Sequence, residues 1–232
     1  MTRRHTRERP ARESPGPGGP ARIAAVLAAA LGAVLLVVAA LLGPPGQPSS
    51  TGADHARDLA AAPAAERGAP HAIRAEAADT RPTRLVPPAA VDIEAIGVSA
   101  EVDDVGVDTG TGQMEVPQPA DRLGWYRFGP GLDAGAGSIV IAGHVDDESG
   151  PGAFYRLGEL EPGDTIAVTG ADGETRTFQV VAREVHDKTE VPLERYFARD
   201  GAPRLTLITC GGAFDRDSLQ YHDNIVITAV PA

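Results

Sequence analysis

Residues 165–181, Thr-Ile-Ala-Val-Thr-Gly-Ala-Asp-Gly-Glu-Thr-Arg-Thr-Phe-Gln-Val-Val, decide the fold class. Ile166 and Val168 alternate with small or polar neighbours, Asp172-Gly173 supplies residues that tolerate positive φ, and Phe178 and Val180 then resume the alternation. A period of two on both sides of such a dipeptide is the pattern of a β-hairpin. Working outward, β-rich runs recur at 91–96, 98–105, 138–142, 176–185, 205–209 and 225–230, separated by turn residues. Seven or eight short strands in about 140 residues predict an all-β barrel or sandwich. One helical-looking stretch, Pro-Leu-Glu-Arg-Tyr-Phe-Ala-Arg at 192–199, precedes the 205–209 strand, and no internal repeat is present.

The β pattern begins only at residue 89. Before it, residues 1–22 carry six arginines and two glutamates, a basic tail. Residues 23–42 then run for 20 residues without a charge; a helix of that length spans a hydrocarbon core of about 30 Å. The run exceeds the apolar region of a cleavable signal, roughly 7 to 15 residues, although its alanines and the following Gly43-Pro44-Pro45 keep cleavage open as an alternative. Arginines on its N-terminal side place that end in the cytoplasm, so residues 89–232 are expected outside the cell. Residues 43–88 are rich in Ala, Pro and Gly and lack apolar periodicity. They read as a disordered tether, because they bury too little apolar surface to offset the entropy of ordering.

Of the net charge of -11, residues 89–232 carry ten basic against 25 acidic residues. A domain this acidic repels phosphates, so nucleic acid is not an expected partner.

Cys210 is the only cysteine, which rules out an intramolecular disulfide. A lone cysteine is commonly a small buried hydrophobe. Here it follows the apolar strand 205–209 directly and precedes Gly211-Gly212, so the sulfur is expected at a strand end where glycines let a substrate backbone approach. A thiol becomes a nucleophile beside a base or cation. His5, His55 and His71 lie in the tail or tether; His144 follows the apolar strand 138–142 and Gly143. His144 fits a satisfied strand-end histidine as well as a catalytic one. His186 and His222 are the other candidates, and spacing alone does not choose among them.

Ala142-Gly143-His144-Val145-Asp146, together with Leu205-Thr206-Leu207-Ile208-Thr209-Cys210-Gly211-Gly212, resembles the paired His and Thr-Leu-x-Thr-Cys signatures of sortases. The Gly-Gly version is similar to the actinobacterial class F group. The likeness covers about 91–230, including Val116-Pro117, Gly124-Trp125-Tyr126-Arg127-Phe128-Gly129-Pro130 and Asp223-Asn224. It implies a closed eight-stranded β-barrel with one short helix, and a cysteine transpeptidase needing no metal or organic cofactor. By the family's mechanism Cys210 attacks the Thr carbonyl of a Leu-Pro-x-Thr-Gly-type signal and His144 protonates the departing Gly amine. The partners so implied are surface proteins with a C-terminal sorting signal, and a cell-wall precursor or pilin amine as acceptor. Substrate contacts fall on Val191, Pro192, Leu193, Tyr196 and Phe197, and beside the nucleophile on Thr209, Gly211 and Gly212. Trp125 and Tyr126 read as packing.

In one place the chain departs from the pattern. Sortases carry an arginine before the last strand, and His222 occupies that position. A neutral imidazole donates one hydrogen bond where guanidinium offers several donors and a permanent charge. Either His222 takes over part of the role, or it passes to Arg127, Arg204 or Arg216, or it is lost and the domain binds surface proteins with little turnover. The Ser-x-Gly-Cys motif of L,D-transpeptidases, and the cysteine at a helix start of papain-like hydrolases, are both missing.

Overall fold

The computed structural model describes residues 48–62, 85–218 and 220–232. The basic tail, the apolar run 23–42 and residues 43–47 and 63–84 of the expected tether lie outside the described residues. No described helix is long and apolar enough to cross a membrane.

From residue 88 the chain folds as the period-two pattern requires. Its strands are β1 (Pro88–Ile93), β2 (Val98–Val105), β3 (Leu123–Tyr126), β4 (Ser138–Gly143), the two-residue β5 (Asp146–Asp147) and β6 (Gly150–Pro151), β7 (Thr165–Gly170), β8 (Thr175–Asp187), β9 (Arg204–Asp215) and β10 (Gln220–Pro231). Eight of them close a barrel in the order β1-β2-β3-β4-β9-β10-β8-β7, and β1 pairs back onto β7 at Val91 and Val168. β5 and β6 form a separate small hairpin. The expected 165–181 hairpin is β7–β8, with Gly173 at φ 79° in its turn.

The interior is filled by residues two apart on successive strands: Val91 and Ile93, Leu123 and Trp125, Ile139 and Ile141, Ile166 and Val168, Phe178 and Val180, Leu205 and Leu207, Ile227 and Ala229. Alternation sends their neighbours to the outer face. Trp125 is buried, with Nε1 donating to the Pro130 carbonyl at 3.2 Å, which bears out its reading as packing.

The structure departs from the sequence expectation in three places. β3 was not among the expected strands, since Leu-Gly-Trp-Tyr is too short for a visible alternation and glycine weakens a strand; its pairing with β2 and β4 makes it one. β9 runs on past residue 209 to Asp215, because β10 continues to pair with it at Gly211, Phe214 and Asp215. The third departure is in the expected tether, where residues 48–62 are ordered against the barrel and include a nine-residue helix, α1 (Ala53–Ala61).

That last correction has a clear cause. β8 has 13 residues, and β7 pairs only with 175–179, so the outer part of β8 presents an open edge. Thr51 fills it, donating to the Arg183 carbonyl at 2.6 Å and accepting from the Arg183 amide at 2.8 Å, while Ser50 Oγ accepts from the Val185 amide at 2.9 Å. The buried Arg183 side chain donates to the carbonyls of Ser49 and Leu160 at 3.0 and 2.6 Å and to Glu161 at 2.9 Å. The Leu59 carbonyl, near the end of α1, accepts from the Ala202 amide at 3.0 Å. Backbone hydrogen bonding to an open edge, and not apolar periodicity, orders this segment.

Arg183→Ala removes the donor to the buried Leu160 carbonyl and the tie to Ser49, and so loosens the strap of residues 48–62. An unpaired buried acceptor costs about 1 to 3 kcal/mol, so the variant should lose about 2 to 4 kcal/mol in urea unfolding of the full chain. A loss below about 0.5 kcal/mol would show that the strap is not part of the folded domain.

Candidate active site

β4 and β9 lie side by side and parallel, with Ala142 level with Ile208. His144 and Cys210 each lie two residues beyond this pair, His144 just past the end of β4 and Cys210 within β9. Cys210 belongs to the outward set of β9, since Leu207 faces the core. The Thr209 hydroxyl donates to the Gly143 carbonyl at 2.8 Å in a buried contact, locking the two strand ends at this level. The hydroxyl of Thr209, expected to contact substrate, is thus engaged in a strut between the strands.

Cys210 is partly exposed. β9 continues beyond it, so it does not end its strand; β4 ends at Gly143, and this opens the β4 side of Cys210. Gly211 and Gly212 also have reasons of their own. A Cβ on Gly211 would come within 2.6 Å of Ile225, and Gly212 has φ 76° where a Cβ would strike Asp223. The register between β9 and β10 shifts here. The pair is needed for the turn of the chain and its packing, as well as leaving space at the sulfur.

On its other side Cys210 pairs with Asn224 of β10, and Asn224 with His186 of β8. Cys210, Asn224 and His186 therefore form one row across the outer face, and His144 follows the end of β4 on the other side of Cys210. A second row, Ala142, Ile208, Val226 and Glu184, runs beside it. The segment expected to wall a groove, 191–197, carries the second helix, α2 (Leu193–Tyr196). It is tied to this face by Tyr196, whose hydroxyl donates to Glu184 Oε2 at 2.9 Å and shares a 2.7 Å hydrogen bond with His186 Nε2, and by Arg195 Nη2 donating to Glu184 Oε1 at 2.8 Å. Burial, then the Glu184 charge, pushes the Tyr196 phenol far up, and burial lowers His186. Tyr196 and Phe197, expected as pocket residues, are otherwise engaged, Tyr196 in this network and Phe197 edge-on against Tyr126 at 5.1 Å. Val191 and Pro192 are half-buried, and Leu193, 57% exposed, is available to a ligand.

His222 is exposed on β10, two residues before Asn224 and on its side of the strand. Asp187, held low mainly by Thr189, and Asp215, held low mainly by the Asp217 amide, both also feel its charge. None of the three alternative arginines stands in the row. Arg204 is buried at the start of β9, donating to the carbonyls of Asp200, Ala202 and Arg195. Arg127 lies over the Phe128 ring beyond the end of β3 that is remote from Gly143, and Arg216 is in the β9–β10 turn.

Sequence reading missed Gln118, whose Nε2 is 2.9 Å from His144 Nε2. It also missed Tyr221, whose hydroxyl donates to Asp146 Oδ2 at 2.5 Å and so ties β10 to the loop after His144. That bond, followed by burial and the nearby charges of Asp146, Tyr155 and Cys210, pushes the Tyr221 phenol up to about 12. Neither residue lies in a periodic or motif position that would single it out. Among the described residues no group of three or more His, Cys, Asp or Glu is arranged to hold a metal ion.

A family model described as Sortase domain matches residues 91–232. Similar solved structures include sortase A from Corynebacterium diphtheriae, a lid mutant, at 24% identity, covering 65% of this chain and 74% of that one with a TM-score of 0.48. Group B Streptococcus pilus island 1 sortase C2 is 19% identical over 62% of this chain and 72% of that one, with a TM-score of 0.47. The SrtA sortase of Actinomyces oris is 19% identical over 62% and 79%, with a TM-score of 0.46. A search of curated proteins gives no match.

The raised Tyr221 value sets a sign for stability against pH. A group bound more tightly as its protonated form in the folded state contributes fully below its ordinary value of 10.0 and loses that contribution as pH rises to about 12. Tyr221→Phe should be less stable than the parent at pH 8, and the gap should close between pH 10 and 12 in urea titrations of the two full chains. A gap constant across that range would mean that the phenol and Asp146 are not bonded.

Proposed function

The chain belongs to the sortase family, whose members are generally cysteine transpeptidases, and on that premise we propose that it cleaves a Leu-Pro-x-Thr-Gly-type sorting signal between Thr and Gly. The Cys210 thiolate attacks the Thr carbonyl carbon. The bond from that carbon to the Gly nitrogen breaks, and His144 gives its proton to the leaving amine, so a thioester remains on Cys210. An amine of a cell-wall precursor or pilin then attacks the same carbon, giving its proton to His144, and the thiolate departs. The observation that carries this reading is the parallel pairing of β4 with β9, held by the Thr209–Gly143 hydrogen bond, which brings His144, just past the end of β4, to the β4 side of Cys210. The reaction as written calls on no metal or organic cofactor.

The oxyanion is the exposed part of the scheme. His222 takes part of the role of the family arginine, supported by backbone N–H groups at Gly211 and Gly212. The Cys210-Gly211-Gly212 run supports a place in the class F group. The uncharged run 23–42 supports a single-pass anchor, with the N-terminus cytoplasmic and the domain outside among membrane-attached substrates. A second reading, a sortase-like domain that binds surface proteins with little or no turnover, is favoured by one observation, the histidine in the arginine position.

The two readings separate on trapping. With a fluorescent sorting peptide and hydroxylamine, the full chain should form a hydroxamate and Cys210→Ala should form none; equal product from both would rule out a covalent intermediate on this thiol. Losing one oxyanion donor typically costs about 100- to 1,000-fold. His222→Arg should therefore raise the cleavage rate, by about tenfold or more, and an unchanged or lower rate counts against a role for this position.

A further inference from the structure

The first described residues fix where the chain reaches the barrel. Thr51 pairs with Arg183 of β8 in the antiparallel sense, and Ser50 Oγ accepts from the Val185 amide at 2.9 Å. Going back along the chain from Thr51 therefore leads toward the Asp187 end of β8, the end that holds His186 in the row with Asn224 and Cys210. Packing gives the same direction. A Cβ on Gly158 would meet Pro48 at 2.9 Å and Ile225 at 3.1 Å, and one on Gly211 would meet Ile225 at 2.6 Å. Pro48 and Gly211, the residue after Cys210, are thus linked through Gly158 and Ile225 alone, and the chain meets the barrel at its nucleophile end. Only residues 43–47 separate Pro48 from the uncharged run 23–42. Whatever their conformation, the six Cα-to-Cα steps from Leu42 to Pro48 span at most about 22 Å, where a tether free as far as residue 88 could extend about 165 Å. Charge does not draw this end to a bilayer: Asp146, Asp187 and Asp223 stand here with Lys188, and anionic headgroups attract basic segments.

We propose that residues 43–47 are a short leash that holds the nucleophile end of the barrel beside the lipid surface, so that the enzyme selects sorting signals by height. Signals whose Thr-Gly bond stands next to their own membrane segment are in reach, and signals carried on long stems are disfavoured. This rests on the reading of 23–42 as an anchor and of Cys210 as the nucleophile. The strap does the shortening: by filling the open edge of β8 it takes residues 48–62 out of the tether and fixes which end of the domain the leash leaves from.

The test uses the full chain in phosphatidylcholine vesicles, which carry no net charge, with a donor dye on Cys210, the only cysteine and partly exposed, and acceptor dyes on the headgroups. Two variants lengthen the leash. An insert of about 30 Gly/Ser residues between Gly46 and Gln47 raises its limit to about 130 Å without touching the barrel. Thr51→Pro with Gly52→Val detaches the strap, since the first removes the donor to the Arg183 carbonyl and a side chain at Gly52, φ 73°, would strike the Val181 carbonyl. Energy transfer should be strong in the parent and fall in both variants. In unlabelled chains, hydroxamate formation should favour a vesicle-anchored signal on a short stem over one on a stem of about 30 residues by about tenfold in kcat/KM, and the preference should shrink to about threefold or less in the variants, because effective concentration falls as roughly the −3/2 power of linker length. A soluble sorting peptide should be cleaved equally by all three chains. Weak transfer in the parent, transfer that the insert leaves unchanged, or equal use of both stems by the parent overturns the proposal, and so does a parent that fails to float with the vesicles. If transfer follows leash length but no hydroxamate forms from any signal, the transpeptidase reading fails and the placement at the membrane stands.

Discussion

Everything at this site depends on the parallel pairing of β4 with β9. His144 and Cys210 each follow the apolar part of a strand, and antiparallel partners would carry them to opposite ends of the barrel. Parallel pairing requires a long crossover, and the chain between the two strands supplies it as β5 to β8 and α2. The buried Thr209–Gly143 hydrogen bond holds the register at the top of the pair, and the buried hydrogen bond between the Ser138 and Thr206 hydroxyls, 2.7 Å long, holds it at the bottom. A slip of one residue would turn Cys210 into the barrel.

The same crossover brings α2 against this face. Glu184 on β8 is nearly fully buried, and it is tolerable there because Arg195, Tyr196 and His186 all turn toward it. A buried charge without such partners is strongly destabilising. The network gains specificity of placement, since α2 can meet this face in only one way that satisfies Glu184. It also leaves the row beside Cys210 polar, with Asn224 and His186 in it.

Strand count, hairpin turn and core alternation were legible in the sequence because they are local. Ile166 with Val168 or Leu205 with Leu207 states a strand and its inward face within five residues. The strap of residues 48–62 was not legible, because its order comes from the open edge of β8 more than a hundred residues away, and nothing in its own composition announces that edge. β3 escaped for a related reason, being a strand only through its neighbours. The glycines after Cys210 were read as access for a substrate; the structure adds Ile225 and Asp223, contacts from the next strand.

By itself the sequence determined the chemistry available: one thiol, a histidine after an apolar strand, a histidine where an arginine is the rule, and motifs that place the chain in its family. Tertiary structure alone decided which of these groups meet. Cys210 and His144 come to the same end of the barrel because β4 and β9 pair in parallel across 66 residues, the separation of Thr209 from Gly143; His222 and Asn224 join them through β10, and Gln118 through its contact with His144. The physical reason is that side-chain periodicity is written over a few residues, whereas strand partners and register are settled by closing the barrel around one shared core.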